Sequence, residues 1–352
     1  MKALYYSSKH LKKDFGGNVI KKRNLLFLKE LVGENNVDFY PRMTLSKIKK
    51  IILILQELSG IELGIDTGLI HKLKGSDIAF IDGTNGGTFS RFTLHKTKVI
   101  SFFHNVEYDF IRQKSVEFQG LKDKLKFILL KTATFHYEKR LCKNSDLIIT
   151  LNSRDSDRLE KLYGRKSDLI MPISMRDIYL AKEHFDSEPY LLFVGSDFYG
   201  NRDGIFWFCE NCMQYINGKL IVVGKGMENF KGKYSSRKIS FNGYVDDLSE
   251  LYRNAAAVVL PIISGSGMKT KTCEAMMHGK IIFGTSESFE GYLRTKDCIL
   301  CENGEEFINK INAYLDGEVR YFSQDNRNLF LQNYENSVVM KKFINFFAGE
   351  IE

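Results

Sequence analysis

The chain of 352 residues alternates between short apolar runs and longer segments in which apolar residues recur every three or four positions. In the first half, the apolar runs predict buried strands over residues 3–6, 37–40, 78–81, 99–103 and 146–151. The helical spacing between them predicts helices over residues 19–31, 46–58, 110–143 and 153–163. Strands that alternate with helices indicate a parallel sheet with helices on both faces.

The second half of the chain repeats this alternation. Its apolar runs predict strands over residues 190–194, 220–223, 239–241, 257–260, 281–283 and 298–301. Its helices are predicted over residues 203–216, with Asn201 as the N-cap, and over 247–254, 305–314 and 327–347. Residues 172–189 are polar and lack periodicity, which is typical of a linker. We therefore predict an α/β protein with domains at 1–175 and 176–330 and a C-terminal helix within 331–352.

The composition agrees with a globular protein, because 43% of the residues are hydrophobic and 27% are charged. The longest apolar runs, such as residues 51–55 and 127–130, are too short to cross a bilayer. Charged residues at positions 9–14 interrupt any apolar signal segment. We therefore expect a cytoplasmic protein.

Two C-x-x-C pairs, at positions 209/212 and 298/301, raise the question of a zinc site. The first pair falls on the apolar stripe of a predicted helix. The second lies in a predicted strand, where positions three apart point to opposite faces. Buried free thiols are the favoured interpretation, and no metal site is predicted.

The positive charge is concentrated in the first half. Residues 1–170 carry 31 Lys and Arg against 19 Asp and Glu, whereas the remainder carries 20 against 24. Within the predicted helix 110–143, basic and apolar residues interleave, as in helices that lie on anionic membranes. The alternative is that its apolar stripe is core and its lysines are solvated. Its basic residues include Arg112, Lys114, Lys122, Lys124, Lys126, Lys131, Lys139 and Arg140.

The most informative stretch is residues 261–285, PIISGSGMKTKTCEAMMHGKIIFGT. A strand runs into a small-residue loop, and a helix follows with Gly279 as its C′ residue. Such an arrangement directs free backbone N–H groups and a positive helix end toward an anion. Lys269 and Lys271 add charge suited to a diphosphate. Glu274 lies three residues after Lys271, on the same side of the helix, and can accept hydrogen bonds from two vicinal ribose hydroxyls. The alternative is a surface ion pair.

The string GSGMKTKxxEAMxxGK resembles the donor-binding segment of family-4-type retaining glycosyltransferases with the GT-B fold. The resemblance implies two Rossmann-like domains that face each other across a cleft, with the C-terminal helix packed back on the first domain. It also implies transfer of a sugar from a UDP- or GDP-linked donor with retention, and front-face attack is the family default. No cofactor or metal is expected. One departure is Ser266, where many relatives carry a glutamate eight positions before the helix glutamate.

The resemblance assigns a role to individual residues. It makes His104, Lys271 and Glu274 the candidate catalytic residues, His104 through contact with the transferred sugar. Glu107, which follows in the same HNVE motif, and the loop Gly16, Gly17 and Asn18 are candidates for acceptor binding. The remaining donor-binding candidates are Gly195, Arg202, Gly243, Tyr244, Val245, Gly265, Ser266, Gly267, Met268, Lys269 and Thr270.

The implied function is the addition of a hexose or related sugar to a glycan or lipid-linked acceptor during synthesis of a capsule, O-antigen or exopolysaccharide. An anionic membrane surface is a further expected partner, and the protein is then peripheral. Two alternatives share the fold: a sugar-nucleotide epimerase and a non-catalytic partner of an active transferase. Nucleic acid is not an expected partner, because the basic residues lack the aromatic pattern of a known module.

Overall fold

The computed structural model describes residues 1–8, 17–42, 67–83, 97–113, 120–181 and 188–351. The chain divides into two compact units. The first comprises Met1–Pro172 and Met340–Glu352, and the second comprises Ile173–Val339. The sequence placed these divisions at 175/176 and 330/331.

The described part of the first unit forms one parallel sheet of six strands with the order β2-β1-β3-β4-β5-β6. Its strands are β1 (Ala3–Ser8), β2 (Val37–Arg42), β3 (Ile78–Asp82), β4 (Lys98–Phe103), β5 (Leu147–Thr150) and β6 (Leu169–Ile170). Its helices are α1 (Gly17–Val32), α2 (Thr67–Lys74), α3 (Glu107–Gln113), α4 (Leu121–Asn144) and α5 (Ser153–Tyr163). Strands β3 and β5 are buried along their whole length, as a central parallel strand requires.

The second unit also forms a parallel sheet of six strands in its described residues, with the order β12-β11-β10-β7-β8-β9. Its strands are β7 (Tyr190–Val194), β8 (Lys219–Val223), β9 (Ile239–Asn242), β10 (Ala257–Leu260), β11 (Ile282–Gly284) and β12 (Cys298–Leu300). Its helices are α6 (Tyr199–Asn211), α7 (Lys231–Tyr234), α8 (Ser249–Asn254), α9 (Thr270–Met277), α10 (Gly304–Leu315) and α11 (Gln324–Asn333), followed by α12 (Asn336–Ile351). The predicted α/β class with two doubly wound sheets is confirmed.

The end of α12 belongs to the first unit. The ring of Phe343 packs on Phe27 and Phe80, with centroid distances of 6.0 and 6.5 Å. All three side chains are almost fully buried, so this part of α12 contributes to the core beneath the first sheet.

Several predicted helix boundaries were wrong. The single helix predicted over 110–143 is interrupted at Gly120, whose φ of 90° lies outside the helical region, and α4 begins directly after it. The helix predicted over 327–347 is likewise broken, between α11 and α12. Helix α6 begins at Tyr199, so Asn201 lies inside it and is not its N-cap. The helix predicted over 46–58 lies outside the described residues.

The helices of the described ranges include none that is long and apolar enough to cross a membrane. All six cysteines are buried free thiols, and burial raises the pKa of Cys209 to about 12. Within the part of the chain that the structure describes, no cluster of three His, Cys, Asp or Glu is placed to hold a metal ion.

Candidate functional site

The second sheet contains a topological switch point between β7 and β10. The chain runs outward from β7 through β8 and β9, and then returns to the other side of β7 with β10. The loops that follow β7 and β10 therefore diverge at the carboxyl edge of the sheet and leave a crevice. Open α/β sheets bind ligands in this crevice. The glycine-rich motif of residues 264–267 lies directly after β10.

Glycines at this edge meet two different requirements, close packing and a left-handed backbone conformation. A Cβ on Gly204 would lie 1.8 Å from the carbonyl oxygen of Pro261, so only glycine lets α6 approach the chain after β10. Gly267 has a φ of 63°, in the left-handed region that favours glycine. Helix α9 starts three residues later and ends as predicted, with Gly279 at a φ of 59° as its C′ residue.

Helix α9 buries Thr272, Cys273, Ala275, Met276 and Met277, and this leaves Lys271 and Glu274 together on its half-buried face. The sequence predicted this shared face from the three-residue spacing. The two side chains thus lie at the start of a helix whose N-terminal amides have no side-chain cap.

Lys271 is a cation that forms no ion pair within the described residues. Its ammonium donates to Oδ1 of Asn201 and lies 4.7 Å from the centre of the Phe193 ring. No carboxylate of the described residues is within ion-pair distance of it. Desolvation, together with repulsion from Lys269, lowers the pKa of Lys271 to about 7, although Glu274 opposes the shift. An anion at this position would restore the charged form.

Glu274 is held by one aromatic side chain. Its Oε2 accepts a hydrogen bond of 3.0 Å from the hydroxyl of Tyr252. The ring of Tyr252 is buried and stacks on His278 at a centroid distance of 4.5 Å. Burial raises the pKa of Glu274, while the hydrogen bond from Tyr252 and the charge of Lys271 counteract it. The carboxyl group is therefore fixed in place and still able to accept hydrogen bonds.

Lys269 has a different environment from Lys271. Its Nζ forms a 2.6 Å ion pair with Glu287 and donates to the carbonyl oxygen of Gly267 at 2.8 Å. Lys269 thus ties the glycine loop to the turn after β11, and its charge is already balanced. The sequence analysis did not identify Glu287, because 18 positions separate it from Lys269 and only the fold brings them together.

The other donor-binding candidates are spread along the same edge. Gly195 follows β7, and a Cβ there would lie 3.0 Å from Nδ2 of Asn201. Arg202 is in α6, paired with Asp197 at 3.3 Å. Residues 243–245 follow β9, two strands from β7, which is about 10 Å at the usual strand spacing. Tyr244 is 58% exposed there. The remaining loop candidates Ser266, Met268 and Thr270 surround the start of α9.

In the first unit, His104 follows β4, at the carboxyl edge of the sheet. Its Nε2 lies 2.5 Å from Oδ1 of Asp82, the last residue of β3. Burial alone would raise the pKa of Asp82, but pairing with His104 and the hydrogen bond from Tyr5 hold it below its usual value. The sequence analysis passed over Asp82, and its position at the end of a buried strand was the available signal.

The acceptor-binding candidates of the first unit are only partly described. Glu107 begins α3, and its backbone N–H donates to the buried carboxyl group of Glu138 at 2.8 Å. Burial raises the pKa of Glu138 to about 8. Gly17 and Asn18 begin α1, whereas Gly16 lies outside the described residues. The first unit thus joins the HNVE motif to α4 through Glu138.

The fold and the edge of the second sheet define a class: a doubly wound α/β protein with a glycine-rich loop at its switch point. Residues 188–317 match the family model described as Glycosyl transferases group 1. This match lies entirely within the second unit. No curated protein matches the sequence.

Solved structures with the same fold are glycosyltransferases of GT-B architecture. HepE of Anabaena, in complex with UDP and glucose, has 11% identity and a TM-score of 0.67, with 99% of this chain and 100% of that chain covered. A glycosyltransferase from Rickettsia africae has 12% identity and a TM-score of 0.68, with coverage of 100% and 98%. TarM of S. aureus has 15% identity and a TM-score of 0.61; the match covers 79% of this chain and only 57% of TarM. These likenesses show that the chain has the GT-B fold.

Proposed function

We propose that the protein is a glycosyltransferase that moves a sugar from a nucleoside diphosphate sugar to a glycan or lipid-linked glycan, with retention of configuration. The observation that carries this proposal is Lys271, a half-buried ammonium at the switch point that forms no ion pair within the described residues and lies three residues before Glu274. A diphosphate would neutralise Lys271, and the ribose of the same nucleotide would reach Glu274. UDP is the first candidate, since the HepE structure contains UDP and glucose.

The chemistry follows from charge. The bond between the anomeric carbon and the diphosphate oxygen breaks, and negative charge develops on the leaving oxygen. The Lys271 ammonium and the free amides at the start of α9 stabilise that charge. The acceptor oxygen forms its bond to the anomeric carbon on the same face, and its proton passes to the departing diphosphate. The chain's own residues thus supply the electrostatic stabilisation, and the proposed reaction requires no metal.

The test is release of nucleoside diphosphate from UDP-glucose, UDP-N-acetylglucosamine and GDP-mannose, with and without added glycan fragments. We expect one donor to be turned over and the Lys271→Ala variant to be inactive while it remains folded. Tight binding of a nucleoside diphosphate without turnover of any donor would instead support the non-catalytic partner.

The second part of the proposal is that the first unit docks on an anionic membrane through the start of α4. Leu121, Leu125, Ile128 and Leu129 are 88%, 60%, 52% and 37% exposed. Their spacing places them on one face of the helix. Lysines at positions 122, 124, 126 and 131 flank this face, so the apolar residues can enter a lipid surface while the lysines contact its phosphates. We call these four apolar residues the α4 apolar face.

Flotation with vesicles tests the docking. We expect the protein to float with phosphatidylglycerol vesicles at low salt and not with phosphatidylcholine vesicles, because each surface lysine contributes about 1 kcal/mol near an anionic leaflet. The double change Leu125→Glu and Ile128→Glu should abolish flotation. The matched control is Leu293→Glu, which changes a leucine of the second unit that is 60% exposed. Equal flotation of wild type and double variant would rule out the α4 apolar face.

A further inference from the structure

A chain of buried hydrogen bonds leads from α1 to His104. The guanidinium of Arg23 donates to Oδ1 of Asn24, from Nε at 3.2 Å and from Nη2 at 2.9 Å. This contact fixes which way the Asn24 amide points, because its oxygen must face Arg23. The Nδ2 of Asn24 then donates to Oδ2 of Asp82 at 3.3 Å. The hydroxyl of Tyr5 donates to the same oxygen.

Asp82 consequently presents its other oxygen to the imidazole. The side chain of Asp82 is fully buried, and its Oδ1 is 2.5 Å from Nε2 of His104. A carboxylate accepts hydrogen bonds and does not donate them, so Nε2 carries the proton of this pair. The low pKa of Asp82 agrees with a carboxylate that stays ionised. The ring of Phe102, edge-on at 5.0 Å, further restricts the imidazole.

The second ring nitrogen of His104, Nδ1, is not engaged by this network. Nδ1 is buried and has no hydrogen-bond partner among the residues that the structure describes. In the neutral imidazole with its proton on Nε2, Nδ1 has a free lone pair. Buried polar atoms are rarely left unpaired, so the lone pair of Nδ1 is available to a donor group from solvent or from a ligand. The His104 side chain remains 17% exposed, which keeps the ring within reach of a solute.

We infer that Asp82 is a positioning residue that sets the His104 tautomer, so that Nδ1 accepts a hydrogen bond from a hydroxyl of a sugar bound at the carboxyl edge of the first sheet. This inference rests on the proposed function for the identity of the ligand. The tautomer itself depends only on the hydrogen bonds of the first unit. Arg23 and Asn24 belong to the same hydrogen-bond network, since they keep a donor directed at Oδ2 of Asp82.

The variant Asp82→Asn tests this hydrogen-bond network, because it should reverse the tautomer of His104. The new amide places its oxygen toward Nδ2 of Asn24, which can only donate, and therefore its NH₂ group toward His104. The Tyr5 hydroxyl can donate either to this oxygen or to the carbonyl oxygen of Lys21. Nε2 then becomes the acceptor, the proton moves to Nδ1, and the sugar hydroxyl meets a donor where it needs an acceptor. An Asn in place of the Asp of such a pair is known to select the wrong tautomer.

The first readout is the tautomer, measured by long-range ¹H–¹⁵N correlation spectra of the imidazoles, with His104→Gln used to assign the signal. We expect protonated Nε2 in the wild type and protonated Nδ1 in Asp82→Asn. The control Tyr5→Phe removes one bond to Oδ2 and should keep the wild-type tautomer. A wild-type tautomer in Asp82→Asn would overturn the positioning role.

The second readout is hydrolysis or transfer of the donor that the wild type turns over, with UDP-glucose as the first probe. We expect Asp82→Asn to lower kcat by about 10- to 100-fold, the effect of one mispaired buried hydrogen bond, with nucleoside diphosphate affinity unchanged. A reversed tautomer with unchanged kcat would overturn the sugar contact. If the wild type turns over no donor, the proposed function fails, and the spectra still decide the role of Asp82.

Discussion

The Lys271→Ala variant is expected to bind a nucleoside diphosphate at least about 30-fold more weakly than the wild type, because loss of one partner of a buried charge pair costs about 2 kcal/mol or more. Isothermal titration with UDP or GDP measures the change. The matched control is Lys296→Ala, which removes a lysine that is 74% exposed and should leave binding unchanged. Equal affinity of the Lys271 variant and the wild type would remove Lys271 from the phosphate site.

The same residue makes binding dependent on pH. The pKa of Lys271 is about 7 in the free protein, and a bound diphosphate raises it. Below pH 7 the ammonium is already present. As the pH rises above about 7, the free protein loses the proton that the complex retains, so affinity should fall by up to about tenfold per pH unit. The groups that face Lys271 are Lys269, Glu274 and Asn201. The Lys271→Ala variant should lose this dependence.

The Glu274→Ala variant is expected to lose about 100-fold in affinity for the ribonucleotide, since two hydrogen bonds to a carboxylate contribute about 1.5 kcal/mol or more each. A more specific test than affinity alone is the selectivity between UDP and its 2′-deoxy form. The wild type should prefer UDP over its 2′-deoxy form, because the deoxy sugar offers Glu274 one hydroxyl fewer. The variant should bind both equally. If the wild type did not distinguish the two nucleotides, Glu274 would not be the ribose ligand.

This substitution also leaves the buried hydroxyl of Tyr252 without its partner, which costs about 1–3 kcal/mol of stability. The double variant Glu274→Ala and Tyr252→Phe removes both members of the pair. It should recover part of the stability and none of the selectivity. The pair of variants thus separates a folding defect from the loss of a binding contact.

Local patterns predicted much of the second unit. The order of strands and helices there follows from hydrophobic spacing, and the placement of Lys271 and Glu274 on one face of α9 follows from a three-residue separation. Gly279 ends the helix as expected, because a C′ residue in the left-handed conformation depends on nearby sequence alone. These features required no knowledge of distant contacts.

Contacts between residues that are far apart in the sequence could not be predicted from it. Glu287 neutralises Lys269 only because the turn after β11 lies beside the glycine loop. Asp82 pairs with His104 because β3 and β4 are neighbours in parallel register. The break at Gly120 within residues 110–143 was not predicted, because a single glycine in an otherwise helical pattern does not by itself end a helix. In each case the deciding interaction is tertiary or depends on one backbone angle.

The central claim, a nucleoside diphosphate site at the switch point of the second sheet, is tested most directly by thermal unfolding with UDP, GDP, CMP and dTDP. A ligand at about 100 times its Kd stabilises the folded state by about 2.7 kcal/mol. We expect one ribonucleoside diphosphate to raise the unfolding temperature of the wild type and to raise those of Lys271→Ala and Glu274→Ala much less, because a loss of affinity of about 30- to 100-fold leaves a stabilisation below about 1 kcal/mol at the same ligand concentration. Folded wild-type protein that responds to none of the four nucleotides, or equal responses in the wild type and both variants, would contradict the account.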